Sequence, residues 1–326
     1  MKHSFPKGAL PKHKYVIKRL LSLIPVLFIV SIVIFMLIHL VPGDPAAMML
    51  GEQATPAQIE ALRETLGLNE PLVLQYIHWV RDIFRGDLGT SLFMDGTMLE
   101  IISTHMVPTL QQTVVAILFA TLVGVPLGML AAIKRGRAAD QLISTFSIIG
   151  VSMPSFLMGL GLVLLFSVKL GWLPSSGYKE ISAYGWWTHI RYMILPGIAL
   201  GFIELGLIIR MTRSSMLEIM GSDYMRMAKA KGVSRFRLFA KHAMKNALVG
   251  IVTVVGLAFI SCLGGAAVTE TIFNIPGIGK LTLNSVMRRD YEVVQAVVLV
   301  VSLLNVLCTL VLDLIYGLID PRVRLA

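Results

Sequence analysis

Charge is scarce in this sequence. Of 326 residues only 15% are Asp, Glu, Lys or Arg, against about 25% in ordinary soluble domains. With 56% hydrophobic residues and a mean hydropathy of +0.76, a pair of soluble domains is a poor fit and the bilayer is the better solvent. Cysteine is also rare. Cys262 and Cys308 both stand in apolar runs without CxxC spacing, so they read as small packing residues and leave the redox compartment open. A nucleotide-binding P-loop is missing: the nearest string, Gly277-Ile278-Gly279-Lys280-Leu281, lacks the first glycine and the Ser/Thr, so ATP has no site here. The seven histidines form no HExxH or paired metal spacing, and the 18 methionines read as packing and interface residues. No Ser/His/Asp set falls on one side of the chain. Neither catalysis, a cofactor nor a metal is expected.

What the chain has instead is length in its apolar runs. Residues 20–43, 101–133, 141–168, 246–269 and 293–312 are uncharged, and each reaches the ~20 residues that cross about 30 Å of hydrocarbon as a helix. Residues 192–209 make a further span broken by Glu204 alone. Long runs without alternation exclude a β-barrel and leave helices, which satisfy their own backbone hydrogen bonds in lipid. The expected fold is an all-α membrane protein with six transmembrane helices.

A net charge of +10 invites a nucleic-acid reading, but position argues otherwise. Twenty of the 29 Lys and Arg fall on one side of the six spans: in the N-terminal tail, at Lys134, Arg135 and Arg137, between Arg210 and Lys245, and at Arg322 and Arg324. Acidic residues run the other way, with 13 of 19 on the opposite side. Cytoplasmic loops gather positive charge, so both termini are expected inside, and the basic excess is a topology signal with no nucleic acid implied. The first run is longer than a signal-peptide core and lacks a clear small-x-small cleavage site, so it reads as a retained anchor.

The boundaries follow: a basic tail at 1–14, a first span at 15–41, an external segment at 42–107, a core at 108–317 with a cytoplasmic loop at 211–246, and a tail at 318–326. In the external segment, Thr55, Pro56 and Gln58 make a capping box with proline at the first helical position, and Gly67 closes that helix. Leu72, Tyr76, Trp79 and Ile83 share one face of a second helix. These helices either guard an entrance or form a solvated cap. Between 169 and 191, Trp172, Trp186, Trp187, Tyr178 and Tyr184 are aromatics of the membrane–water boundary, where lipid is the partner. Gly124 and Gly128, and Gly197 and Gly201, have the spacing that lets helices approach closely, within the chain or with a sister subunit.

The cytoplasmic loop is free of proline from 210 to 246 and should be mostly helical. Ser222 or Asp223 caps a short helix through Tyr224, Arg226, Ala228, Lys229, Ala230 and Lys231, which Gly232 ends in the left-handed conformation. Small residues, methionines and cationic heads suit it to a groove in another protein. Within the spans, ionisable groups are functional candidates by default. Glu204 either faces a watery path or serves as a hydrogen-bonded structural residue. Gln111, Gln112, Ser152, Ser155, Ser261 and Asn305 can wet the same path, although polar residues also bond helices together.

Several stretches carry a family resemblance. Thr212–Glu218, Asp223–Gly232 and Lys241–Ala247 are similar to the EAA loop of bacterial ABC importer permeases, closest to the dipeptide, oligopeptide, glutathione and nickel branch. Further likeness lies in Val41-Pro42-Gly43-Asp44-Pro45, in Thr269-Glu270-Thr271-Ile272-Phe273-Asn274-Ile275-Pro276-Gly277-Ile278-Gly279, in Arg289-Asp290-Tyr291 and in Asp320-Pro321-Arg322. Arg226 and Met227 depart from the general pattern, which has Glu and Ala there. The resemblance implies a type I importer permease fold in the bacterial inner membrane, pairing with a second homologous permease, two cytoplasmic ATPases and a periplasmic solute-binding protein. It also implies docking of the 223–232 helix in an ATPase cleft. Peptides are the implied solute, with nickel or glutathione as alternatives in the same family. From another class, an ion-coupled secondary transporter would need an internal repeat and a coupling-ion site.

Overall fold

The computed structural model describes residues 12–40, 45–50, 54–65, 67–91, 93–234 and 237–319, and the regular elements among them are all helical. The basic tail 1–11, residues 41–44 of the first likeness after span one, Arg235, and the Asp320-Pro321-Arg322 string lie outside the described residues. In chain order the helices are α1 (Lys12–Leu40), α2 (Pro45–Leu50), α3 (Pro56–Thr65), α4 (Leu72–Phe84), α5 (Met98–Ile133), α6 (Ala138–Ser152) and α7 (Ser155–Leu162). A π-helical turn, Val163–Lys169, extends α7. Then come α8 (Ile181–Met220), α9 (Asp223–Ala230), a second π-helical turn (Leu238–Ala243), α10 (Met244–Gly265), α11 (Ala267–Ile272), α12 (Ile278–Arg288) and α13 (Tyr291–Ile319).

Four helices, α5, α8, α10 and α13, are long and apolar enough to cross a membrane. The run at 141–168 behaves differently from the straight helix its composition predicts. It is split between α6 and α7–Lys169 with a bend of 105°. Pro154 explains the break: it lacks the N–H that would continue the helix, and it drives Met153 into extended backbone (φ −85°, ψ 120°). Counted as one span the bent pair makes a fifth crossing, and α1 carries a shorter apolar stretch, Leu20–Met36.

Helix α8 is the axis of the fold, and glycine is the reason. Gly197 lies so close to α5 that a β-carbon there would sit 2.4 Å from Val115 Cγ1, and one on Gly201 would sit 2.5 Å from the Ala116 carbonyl oxygen. The contact is reciprocal, since a β-carbon on Gly128 would fall 2.7 Å from the Ile209 carbonyl. Both glycine pairs marked by their spacing therefore serve one crossing inside this chain. In lipid, where apolar burial offers little gain between helices, such close van der Waals approach holds them together. Gly206 admits α6 in the same way, since a β-carbon there would fall 2.5 Å from the Ser147 carbonyl oxygen.

In the external segment the Thr55–Gln58 capping box forms: the Thr55 N–H donates to Gln58 Oε1 at 2.9 Å and the Gln58 N–H to Thr55 Oγ1 at 3.4 Å. Gly67 adopts φ +64°. Helix α4 lays Tyr76 and Trp79 against Phe35 of α1, with ring centroids 5.4 and 5.8 Å apart, and the Tyr76 hydroxyl bonds Ser31 at 2.8 Å. That face is packed on the first span rather than solvated. A second capping box, Thr97 with Glu100, starts α5 at Met98, three residues before the uncharged run at 101–133. The boundary aromatics Trp172, Tyr184, Trp186 and Trp187 are exposed. Tyr178 instead turns inward.

Candidate coupling helix and translocation groove

Two regions carry the candidate residues. The first is α9, which follows the C-terminal end of α8 through the turn at Gly221. Ser222 stands at its N-cap position (φ −73°, ψ 152°), but its hydroxyl donates backward to the Ile219 carbonyl at 2.7 Å, so the helix starts on backbone geometry alone. Met225 and Ala228 are buried in a cluster with Met216 of α8, Ala132 of α5 and Leu238, Ala243, Ala247 and Ile251. Residues i and i+3 share a face, and here that face anchors the helix to its own chain. Ala228 is thus an anchor, not part of a small outward surface. The opposite face carries Asp223, Tyr224, Arg226, Met227, Lys229, Ala230 and Lys231, all exposed, with Arg226 paired to Asp223 at 3.5 Å. Gly232 ends the helix at φ +75° with open space where a β-carbon would go, as its position predicts.

The second region is a groove of about 490 Å³ between α8 and α10, lined by Glu204, Arg210, Ser214 and Ser261 among apolar side chains. Glu204 is 5% exposed and accepts a hydrogen bond from the Ser261 hydroxyl. Two of the polar span residues singled out in the sequence are therefore brought together. The others lie elsewhere. Gln111 accepts from the Tyr178 hydroxyl at 2.9 Å. Gln112 is fully buried and donates to Thr269 Oγ1 at 2.7 Å. Ser152 and Ser155 flank the α6–α7 break. Asn305 sits on α13 with a buried Oδ1 that meets no hydrogen-bond donor among the described residues.

A third arrangement went unassigned in the sequence. Glu270 on α11 is completely buried; its Oε1 accepts from Thr109 Oγ1 at 2.5 Å and its Oε2 from the Lys280 N–H at 2.7 Å, with the Gly279 N–H contributing as well. The carboxylate thus caps α12, and Thr109 Oγ1 in turn accepts from the Ile278 N–H at 2.9 Å. Gly277 makes room, since a β-carbon there would fall 2.1 Å from Glu270 Oε1. Burial pushes the Glu270 carboxyl above its ordinary range, and the hydrogen bonds it accepts oppose that rise. The signal available in sequence was a lone acid beside a Pro-Gly-x-Gly string, which fits turn chemistry as well as a buried cap.

Residues 124–325 match the family described as "Binding-protein-dependent transport system inner membrane component", and residues 12–94 match its N-terminal companion. The chain belongs to this family. It is a permease, a multi-pass subunit of the bacterial inner membrane. The permease is 44% identical to the "Probable peptide ABC transporter permease protein y4tP" of Sinorhizobium fredii, over 95% of this chain and 99% of that one. It is 44% identical to the dipeptide transport system permease protein DppB of Alkalihalophilus pseudofirmus, with the same coverage. To the glutathione transport system permease protein GsiC of Escherichia coli it is 41% identical, over 95% and 98% of the two chains. Among solved structures, the inward-facing MetNI methionine ABC transporter has a chain that superposes with a TM-score of 0.58 at 20% identity, covering 70% of this permease and all of that chain. That likeness is one of fold.

Proposed function

We propose that the permease forms a pore as a heterodimer with a second, homologous permease, that two cytoplasmic ABC ATPases drive it by hydrolysing ATP, and that a periplasmic solute-binding protein supplies the solute. The solute is a di- or oligopeptide or a related small molecule such as glutathione, in keeping with the names of its relatives. Residues 42–107 are then the external segment that faces the binding protein, and 211–246 the segment that faces the ATPases. The groove at Glu204 and Ser261 forms part of the path.

The observation that carries this reading is the division of α9 into two faces. Met225 and Ala228 fasten it to the inner ends of α5, α8 and α10, while Tyr224, Met227, Lys229 and Lys231 point away. A helix held on one side and exposed on the other can transmit a push from a partner directly into the spanning helices. The test is Gly232→Asp in the complete complex. A side chain at φ +75° is disfavoured by about 1 kcal/mol or more and an acid adds charge of the wrong sign among the lysines. Co-purification of the ATPases and uptake into vesicles should both fall while the spans remain inserted. Wild-type values for both would show that α9 is not the coupling element.

A further inference from the structure

The groove at Glu204 has a charge pattern that the path reading alone does not use. Glu204 and Arg210 both line it, on the same helix and six positions apart, about 9 Å of axial rise. Glu204 is deep and nearly inaccessible; Arg210 is exposed at the cytoplasmic end. Around them Met211 and Leu257 give an apolar wall, with Ser214 and Ser261 as neutral polar points. Among the described residues neither charged group has an ion-pair partner. A carboxylate can accept about four hydrogen bonds, and Glu204 has the one from Ser261.

An acid at membrane depth is costly unless it faces water or a partner of opposite charge, and Arg210 stands exposed in the lining of the same groove. A solute with a cationic and an anionic end complements both groups. A fully extended dipeptide spans about 7 Å between its ends, short enough for its ammonium to reach Glu204 while its carboxylate lies toward Arg210. We propose that the groove selects for charge: Glu204 receives the free amino terminus of a short peptide or another primary ammonium group, and Arg210 receives the anionic end. The inference rests on the groove being part of the path and adds the chemical class of what passes.

The experiment separates the two. In the assembled transport complex, with Cys262 and Cys308 replaced by alanine, Ser261→Cys is labelled with a trimethylammonium-bearing and a sulfonate-bearing methanethiosulfonate. The cationic reagent should react about ten-fold faster, the size expected of one unit charge a few ångströms away in a partly aqueous groove. Adding Glu204→Gln should remove that preference, Glu204→Asp should keep it, and Ser214→Cys beside Arg210 should favour the anionic reagent. Labelling of Ser261→Cys with no charge preference, or a preference that survives Glu204→Gln, overturns the charge selectivity while leaving an aqueous groove. No labelling by either reagent, with the complex still assembled, overturns the path reading itself and this inference with it.

Discussion

Arg213 grips Asp140 with two parallel hydrogen bonds, Nε to Oδ1 at 2.6 Å and Nη2 to Oδ2 at 2.8 Å. Asp140, only 4% exposed, also accepts the Gly136 N–H at 2.9 Å. One carboxylate thereby ties the basic loop at 134–137 and the start of α6 to the C-terminal part of α8, one element before α9. Bidentate pairs of this kind combine charge with geometry and are strong for that reason.

Asp140→Asn should therefore destabilise the permease by about 1.5–3 kcal/mol, the range for charge-assisted hydrogen bonds, moderated because the Arg213 side chain is 30% exposed. A double-mutant cycle with Arg213→Gln, read by thermal melting of the purified complex, gives the coupling directly. Additive effects of the two substitutions would show that the pair contributes nothing beyond its separate residues.

The α5–α8 crossing should fail on addition of volume to glycine. Gly201→Leu places atoms on the Ala116 backbone, which cannot yield as a flexible side chain can. Loss of folded permease in membranes is the expected result. Gly161→Ala serves as the control, because nothing lies within 4 Å of a β-carbon there. Fluorescence size-exclusion of both variants after mild detergent extraction decides the matter, and equal recovery would contradict the close-packed crossing.

The Glu270 cap should make stability depend on pH in a definite sense. Its folded pKa is raised, so the protonated form is favoured by folding. That contribution is complete below the ordinary carboxylate pKa and is lost as the pH rises through the raised folded value. Glu270→Gln cannot ionise and should flatten this slope. It also puts an amide NH₂ where the carboxylate accepts from Thr109 or Lys280, lowering stability by about 1–3 kcal/mol for an unsatisfied group. Melting temperatures of both proteins from acid to neutral pH are the measurement; parallel curves would exclude the titration.

Topology offers a direct check on the charge distribution. Glu60 on α3 is exposed and belongs to the segment placed outside. In a cysteine-free background, Glu60→Cys should react with an impermeant thiol reagent applied to intact spheroplasts, and Lys134→Cys only after the membrane is opened. The reverse pattern would invert the permease.

Much of the architecture was legible because the bilayer imposes a blunt rule. Uncharged runs of sufficient length must be helices, and their approximate places follow from hydropathy alone. Capping chemistry is similarly local, which is why the Thr55–Gln58 box, the Gly67 stop and the Gly232 stop on α9 all form where their residue types demand them. The amphipathic stripe on α4 was readable too, though not its companion: that Tyr76 and Trp79 meet Phe35 depends on how the chain returns to α1.

What tertiary structure decided are relations between residues far apart in sequence. Hydropathy cannot distinguish a straight span from one folded back at Pro154, since both are equally apolar. Glycine spacing marks a close approach without saying which helix approaches, and only the fold shows that Gly128 and Gly201 serve the same crossing. Small size likewise did not reveal that Ala228 faces its own chain. Thr109, Glu270 and Lys280 are separated by up to 171 positions and share no periodicity, so their network exists only once α5, α11 and α12 are packed. The sequence by itself determined an all-helical membrane subunit built on long apolar runs. Packing, which depends on pairs and not on runs, determined which polar residues are locked into the scaffold and which, Glu204 and Ser261 among them, are left to face a groove.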